Sequence, residues 1–245
     1  MVPGGREVFL TAEWRDLAVL NFEIDREVLQ ARVPGGTELD DFGGRPLLSV
    51  VGFLFLDTRI LGVRVPFHAN FEEVNLRFYV RRKAPEGWRR AVVFVREFVP
   101  RLAIALTARA VYGENYSKAR MSHRIEDSRA EGIRRVSYEW GSRGCKNRLG
   151  ISTAGEPHRP EEGSHEELVT EHYWGYARQK DGDSLEYHVE HPPWRIWKAR
   201  DASLDCDVRS VYGEEFVGAL KSPPVSAFLV EGSRVSVSKG VQLTP

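Results

Sequence analysis

The stretch EVNLRFYV, Glu73 to Val80, decides how the rest of the chain is read. Taken by odd and even positions, it sets Glu73, Asn75, Arg77 and Tyr79 on one side and Val74, Leu76, Phe78 and Val80 on the other. That alternation is the signature of a strand with one polar and one apolar face. A surface strand ordinarily shows Thr, Lys and Ser to water, whereas this one carries an acid, an amide, a guanidinium and a phenol in one row. In a closed barrel alternate residues point inward, so the row predicts the lining of a polar cavity.

Outward from this stretch, Val-, Phe-, Tyr- and Ile-rich segments of the same kind fill most of the chain: VFLTAEWRDLAVLNFEI, PLLSVVGFLFLDTRI, AVVFVREFV, IRRVSYEW, SLEYHVEH and RVSVSKGVQL. They read as strands. DREVLQARVP predicts a short helix with Asp25 as N-cap and Pro34 as its stop. RLAIALTARAVYG repeats Leu102, Leu106 and Ala110 at helical spacing before Gly113. HEELVTEHYWGYARQ is a third helix candidate that also suits a strand at Trp174 and Tyr176. RRKAPEGWRR reads as a hairpin whose basic residues either grip an anion or simply solubilise it. STAGEPHRPEEGSHEE has the composition of a linker or a lid. Many strands with few helices predict a sandwich or barrel. The expectation is a mainly β chain, a single domain over 1–245, closed as an antiparallel barrel with short peripheral helices.

Composition bounds the partners. A chain of 245 residues with 42% hydrophobic and 29% charged side chains can bury a core of its own. Thirty-five basic and thirty-five acidic residues cancel, so no global field draws it to nucleic acid or an anionic membrane. The apolar run PLLSVVGFLFL is about half the length of a spanning helix, and the N-terminus lacks the pattern of a secretory signal. Cys145 and Cys206 have no metal-ligand spacing. These features predict a soluble, cytoplasmic protein with a small-molecule partner, without nucleic acid or membrane, its homo-oligomeric state left open.

Several residues carry candidate chemistry. In VVFVREFVP, Arg96 and Glu97 interrupt an apolar run, and neighbours on a strand face opposite ways, so only one of them shares a cavity with Arg77. The pair is either a carboxylate beside a guanidinium for substrate capture or proton transfer, or a structural ion pair. His188 and His191 lie three apart in a strand-like context that sends their rings apart, and with Glu171 and His172 they read as packing residues. No metal site and no cofactor is expected. Tyr116, Lys118 and His123 cluster after the second helix; Lys118 is a nucleophile if desolvated and merely solvated if exposed. No nucleophile elbow, phosphate loop or dinucleotide fingerprint occurs.

WRDLAVLNFEIDREVLQARVPGGTELDDFGGRPLLSVVGFLF, EVNLRFYV, VVFVREF, ARAVYGENYSKARM and EYHVEHPPW, in that order, resemble the YqjF-like family of uncharacterised bacterial proteins. That family looks like a branch of the acetoacetate decarboxylase-like superfamily, which implies a cone-shaped closed antiparallel barrel with a small cavity. EIDREVLQARVP is similar to a helix of the decarboxylases, and VREF to their Gly-Arg-Glu-Leu. By the same resemblance Arg15 falls where they keep a cavity arginine, which makes it a candidate for holding a substrate carboxylate. Where they carry a Schiff-base lysine after a proline, this chain has Arg101, and a guanidinium stays protonated near neutral pH. The resemblance therefore implies the fold without that reaction.

The expected function is binding of a small anionic or carbonyl metabolite in a barrel cavity. Arg15 and Arg77 hold its charge, Glu73 or Glu97 takes or orients a proton, and Asn75, Tyr79 and Tyr116 form hydrogen bonds. Proton transfer beside a carbonyl is the natural chemistry of such a set. Two alternatives stay open: a binding or sensing module without turnover, and a polar row that only fills the barrel.

Overall fold

The pairing of strands returns on itself. In the computed structural model, which describes residues 6–101, 112–128, 132–142, 144–179 and 182–243, the first half holds β1 (Val8–Glu23), β2 (Glu38–Leu39), β3 (Asp41–Phe42), β4 (Arg45–Ile60), β5 (Val63–Arg64), β6 (Phe71–Ala84), β7 (Gly87–Val99) and β8 (Tyr116–Lys118). The second half holds β9 (Arg120–Ser128), β10 (Ile133–Ser142), β11 (Cys145–Ala154), β12 (Trp174–Arg178), β13 (Ser184–Glu190), β14 (Ile196–Asp205), β15 (Ser226–Ser238) and β16 (Val241–Leu243). Strands β13, β12, β7, β6, β4, β1 and β15 pair in that order, and β15 pairs back with β13 through Val189↔Val237 and Glu190↔Ser236.

The ring is not wholly antiparallel as expected. β12 runs parallel to β7 through Trp174↔Ala91 and Gly175↔Val92, and β8 also runs parallel to β7. A parallel neighbour needs a long crossover, and β12 has one: the chain leaves the ring after β7, builds β9, β10 and β11, and returns through a helix.

β14 links the ring to a second layer. Ile196–Lys198 pair with β15, and the rest of β14, from Ala199 to Asp205, pairs with β11, which leads on to β10 and β9. This four-stranded sheet covers the outer face of the ring. Val74, Leu76, Phe78 and Val80, the apolar row of the opening stretch, are fully buried in a core shared with Val136, Tyr138, Trp140, Leu149 and Ile151. The approach is close: a Cβ at Gly52 of β4 would lie 2.6 Å from the Tyr138 ring. The Tyr138 hydroxyl donates to the Asp16 carbonyl at 2.8 Å.

The first expected helix is α1 (Arg26–Gln30), preceded by an extended Asp25 whose side chain makes no capping bond, and Leu29 is its buried anchor. HEELVTEHYWGYARQ divides: His165–Thr170 forms α2, capped by the Ser164 hydroxyl, and Trp174 starts β12. The helix read at Leu102–Ala110 lies outside the described residues. RRKAPEGWRR is the hairpin between β6 and β7, closing at Ala84↔Gly87. Among the described residues no helix is long and apolar enough to cross a membrane.

Candidate ligand pocket within the strand ring

The polar row of EVNLRFYV faces the inner side of the ring. Glu73, Asn75 and Arg77 line a pocket of about 200 Å³. Its walls are largely aromatic, which corrects the expectation of a polar cavity: Trp14 meets Phe53 and Phe55 edge-on at 5.3 and 5.6 Å, and Phe55 stacks on Phe71 at 4.7 Å. His191 stacks on Trp194 at 3.7 Å. The polar groups gather as a cluster on this apolar lining, an arrangement typical of small-molecule sites.

Two β-bulges decide which side chains reach the cluster. In β7 the register shifts opposite Leu76/Arg77, so Arg77 pairs with Phe94 and Leu76 with Arg96. Phe94 and Glu97, three apart, therefore both line the pocket, because a bulge inserts one unpaired residue and resets the alternation. Arg96 turns outward, where its guanidinium donates to the Ser117 hydroxyl at 3.2 Å and to the Val211 carbonyl at 3.1 Å. The choice left open between Arg96 and Glu97 falls to Glu97.

The second bulge lies in β1 between Arg15 and Ala18, where Asp16 adopts φ 56°. Trp14 and Leu17 line the pocket on either side of it. Arg15 is thereby turned away, pairing with Glu13 at 2.6 Å and donating to the Gly232 carbonyl at 3.1 Å. Lys118 is exposed at the end of β8 and is likewise outside the pocket. Tyr79 sits behind the lining: its hydroxyl shares a 2.7 Å hydrogen bond with Ser49, which donates to Asn21 at 2.5 Å. The Arg77 Nε donates to the same phenol oxygen at 3.4 Å. Tyr79 thus positions Arg77.

Asn75 Nδ2 donates to Glu73 Oε1 at 2.9 Å, and the Tyr116 hydroxyl donates to Glu73 Oε2 at 3.4 Å. Glu97 is fully buried, and neither carboxyl oxygen meets a donor in hydrogen-bond geometry, the Tyr116 hydroxyl standing close by with its proton on Glu73. A third acid, Glu114, accepts from the Tyr187 hydroxyl at 2.5 Å. Arg77 makes no ion pair among the described residues, and its one hydrogen bond is to Tyr79. Within the row itself, Asn75 Oδ1 is the buried side-chain atom left without a partner among the described residues.

Electrostatics follow from burial and crowding. Burial pushes Glu73 up to about 7, against the opposing pull of Asn75, Tyr116 and Arg77. Burial and the nearby Glu73 hold Glu114 at about 8, despite the Tyr187 bond. Glu97 stands well above the usual carboxylate range through burial and the charges of Glu114 and Glu73, which the nearby Tyr116 offsets only in small part. Burial brings His191 down to about 4, with Arg77 adding to the effect. Burial also lowers His172, whose Nε2 lies 3.5 Å from Asp40, at the limit of a hydrogen bond. At neutral pH the pocket joins a guanidinium to acids held wholly or partly in their neutral form.

Glu114, Tyr187, Trp14 and Trp194 belong to the site and were not read as site residues from sequence. Glu114 lies in a loop, where no periodicity operates. Tyr187 was legible in principle, since it alternates with the inward Val189 in SLEYHVE. The hairpin arginines neither grip a free anion nor merely solubilise: Arg82 and Arg89 pair with the buried Glu186, Arg90 with Asp40 and Arg81 with Glu38. Among the described residues no group of three or more His, Cys, Asp or Glu is placed to hold a metal ion.

Known proteins share this architecture. An acetoacetate decarboxylase from Legionella pneumophila superposes with a TM-score of 0.67 at 14% identity, covering 97% of this chain and 88% of that one. An acetoacetate decarboxylase-like enzyme from Sphingomonas wittichii RW1 gives 0.67 at 14% identity over 100% and 98% of the two chains. The enduracididine biosynthesis enzyme MppR, complexed with pyruvate, gives 0.70 at 11% identity over 97% and 91%. At these identities the likeness is one of fold. In sequence, the uncharacterized protein YqjF of Bacillus subtilis (strain 168) is 26% identical over 215 residues, 86% of this chain and 84% of that protein. The profile of DUF2071, described as an uncharacterized conserved protein, matches residues 11–234, and the chain belongs to that family.

Proposed function

We propose that the strand ring is a cone-shaped closed barrel whose pocket binds a small metabolite bearing a carboxylate, with Arg77 as the anchor. The observation that carries this is the Arg77 guanidinium, lining a largely apolar pocket without any carboxylate partner in the described protein. A guanidinium is matched to a carboxylate by its fork of donors, and a desolvated wall strengthens the pairing. The pyruvate held by the structurally similar MppR is a small carboxylate of the kind proposed here.

Glu73 and Glu97 supply the proton chemistry in this reading. Glu97, neutral before a ligand binds, orients the polar group of the ligand, and Glu73, at about 7, exchanges a proton near neutral pH as an acid or base should. With Arg77 stabilising negative charge, the set suits proton transfer beside the carbonyl of a bound acid. Lys118 and Arg15 have no part in it, and no lysine among the described residues lines the pocket, so the chemistry proposed runs through carboxyls rather than a Schiff base.

The test is a thermal-shift series of keto acids, hydroxy acids and simple carboxylates on the wild type and on Arg77→Met. A ligand at ~100 times its dissociation constant stabilises by roughly 2.7 kcal/mol. A carboxylate that raises the wild type and leaves Arg77→Met unchanged supports the reading. Equal shifts in both proteins, or none in either, refute it.

A further inference from the structure

A carboxylate on Arg77 leaves the other polar end of the pocket unanswered. Glu97 is fully buried, lines the pocket, and neither oxygen meets a donor in hydrogen-bond geometry; the Tyr116 hydroxyl is close enough to lower its pKa slightly but has its single proton directed at Glu73. The register neighbour of Glu97 across β6 and β7 is Asn75, whose Oδ1 is also buried without a partner while its Nδ2 is spent on Glu73. Each such atom has lost its water without gaining a partner, and native interiors contain few. Three on two adjacent residues facing one cavity form half of a recognition site.

The missing half is a donor. Asn75 Oδ1 can only accept, and so can both oxygens of an ionised Glu97. A keto oxygen taking a proton bond from a neutral Glu97 would leave Asn75 Oδ1 as bare as before, and a hydroxyl, with one O–H, could answer Asn75 Oδ1 but would leave the second Glu97 oxygen without a donor. A protonated amine has three N–H donors and answers all of them. Its charge also suits the surroundings: Glu73 and Glu114 sit beside Glu97, and Tyr116 and Tyr187 add only hydroxyl dipoles. Charge-assisted N–H···O bonds are roughly twice as strong as neutral ones.

The spacing joins this donor to the carboxylate. Asn75 and Arg77 are two residues apart on one face of β6, about 7 Å along the strand, with Glu97 opposite Asn75. We infer that the ligand is an amino-acid-like zwitterion, its carboxylate on Arg77 and its ammonium on Glu97 and Asn75 Oδ1. This inference rests on the proposed role of Arg77.

The two separate in one experiment. Isothermal titration is run with butanoate, 4-oxobutanoate, 4-hydroxybutanoate and 4-aminobutanoate, and with the five- and six-carbon ω-amino acids and their parent acids, in two buffers of different ionisation enthalpy. The expected result on the wild type is at least one amino acid bound about tenfold or more tighter than its parent acid. Its binding releases protons, up to about one per ligand, as the ammonium takes the place of the Glu97 proton. Glu97→Gln should still bind the parent acid and lose most of the preference for the amine; Arg77→Met should lose both. If parent acid and amino acid bind alike, if the oxo acid exceeds both, or if amine binding releases no proton, the zwitterion is wrong and the Arg77 anchor stands. If no carboxylate binds the wild type, the anchor and the inference fail together.

Discussion

Replacing Glu73 by Gln asks whether the acid cluster is held neutral by the fold. Burial raises Glu73 from the ordinary 4.5 to about 7 in the folded protein. The folded state then keeps a proton that the unfolded chain releases above 4.5. Stability is therefore full below that value and falls as pH rises toward 7. The gap between 4.5 and about 7, at about 1.36 kcal/mol per pKa unit, is on the order of 3 kcal/mol. Gln cannot ionise and loses none of this. Whatever offset the amide introduces at low pH, the advantage of Glu73→Gln over the wild type should widen by about 3 kcal/mol between roughly pH 4.5 and pH 8. Relief of Glu97 and Glu114, both raised by the Glu73 charge, acts in the same direction. Urea unfolding of both proteins across that range measures the gap, and at the upper end it corresponds to roughly 6–12 °C in melting temperature for a chain of this size. A gap that stays constant or narrows with pH would mean that Arg77 holds Glu73 ionised as an ion pair. The free guanidinium on which ligand binding depends would then not exist.

Two further predictions concern the frame around the pocket. Gly52→Ala drives a methyl to 2.6 Å from the Tyr138 ring and should cost about 1–3 kcal/mol by chemical denaturation; an unchanged midpoint would show that the second sheet is not seated on β4 as described. Glu186 is buried against Arg6, Arg82, Arg89 and Tyr176; burial opposes its charge, but those hydrogen bonds win and hold it below the usual carboxylate range. Its contribution is present above 4.5 and fades as pH falls through the folded value. Glu186→Gln should cost about 3–5 kcal/mol at neutral pH and much less in acid, and an equal loss at both pH values would contradict the pairing.

The fold class was legible because β4 and β6 are long and uninterrupted. PLLSVVGFLFL reads as a buried strand, and Pro46–Phe55 is continuously buried within β4. EVNLRFYV keeps strict alternation, and its two rows separate into the pocket lining and the outer core, with the phenol of Tyr79 withdrawn behind the lining. The parallel entry of β12 was not legible. Nothing local in WGYAR records the direction of a neighbour that precedes it by some eighty residues. The pairing of the hairpin arginines was hidden for the same reason: Arg82 and Arg89 find Glu186 about a hundred positions away, and charge patterning along the chain sees only near neighbours.

Arg15, placed in the cavity by the family resemblance, and Glu97, left undecided against Arg96 by strand alternation, both stand beside a β-bulge. Period-two reasoning assigns a side by counting from a known residue, and each bulge adds one to the count. β6 has an intact inward row, so Glu73, Asn75 and Arg77 were placed together correctly. β1 bulges at Asp16 and Leu17, and a count from Leu17 or Val19 backwards puts Arg15 inside when Trp14 is the residue that points there. β7 bulges at Val95, and a count from Val92 and Phe94 puts Arg96 inside when Glu97 is. Both bulges border the pocket, and each places on the inner wall the residue that the regular count would have sent out: an indole in one strand and a carboxyl in the other. The chemistry of the site, aromatic walls around an unpartnered acid, is thus written at the two positions where the strands depart from the repeat that revealed them.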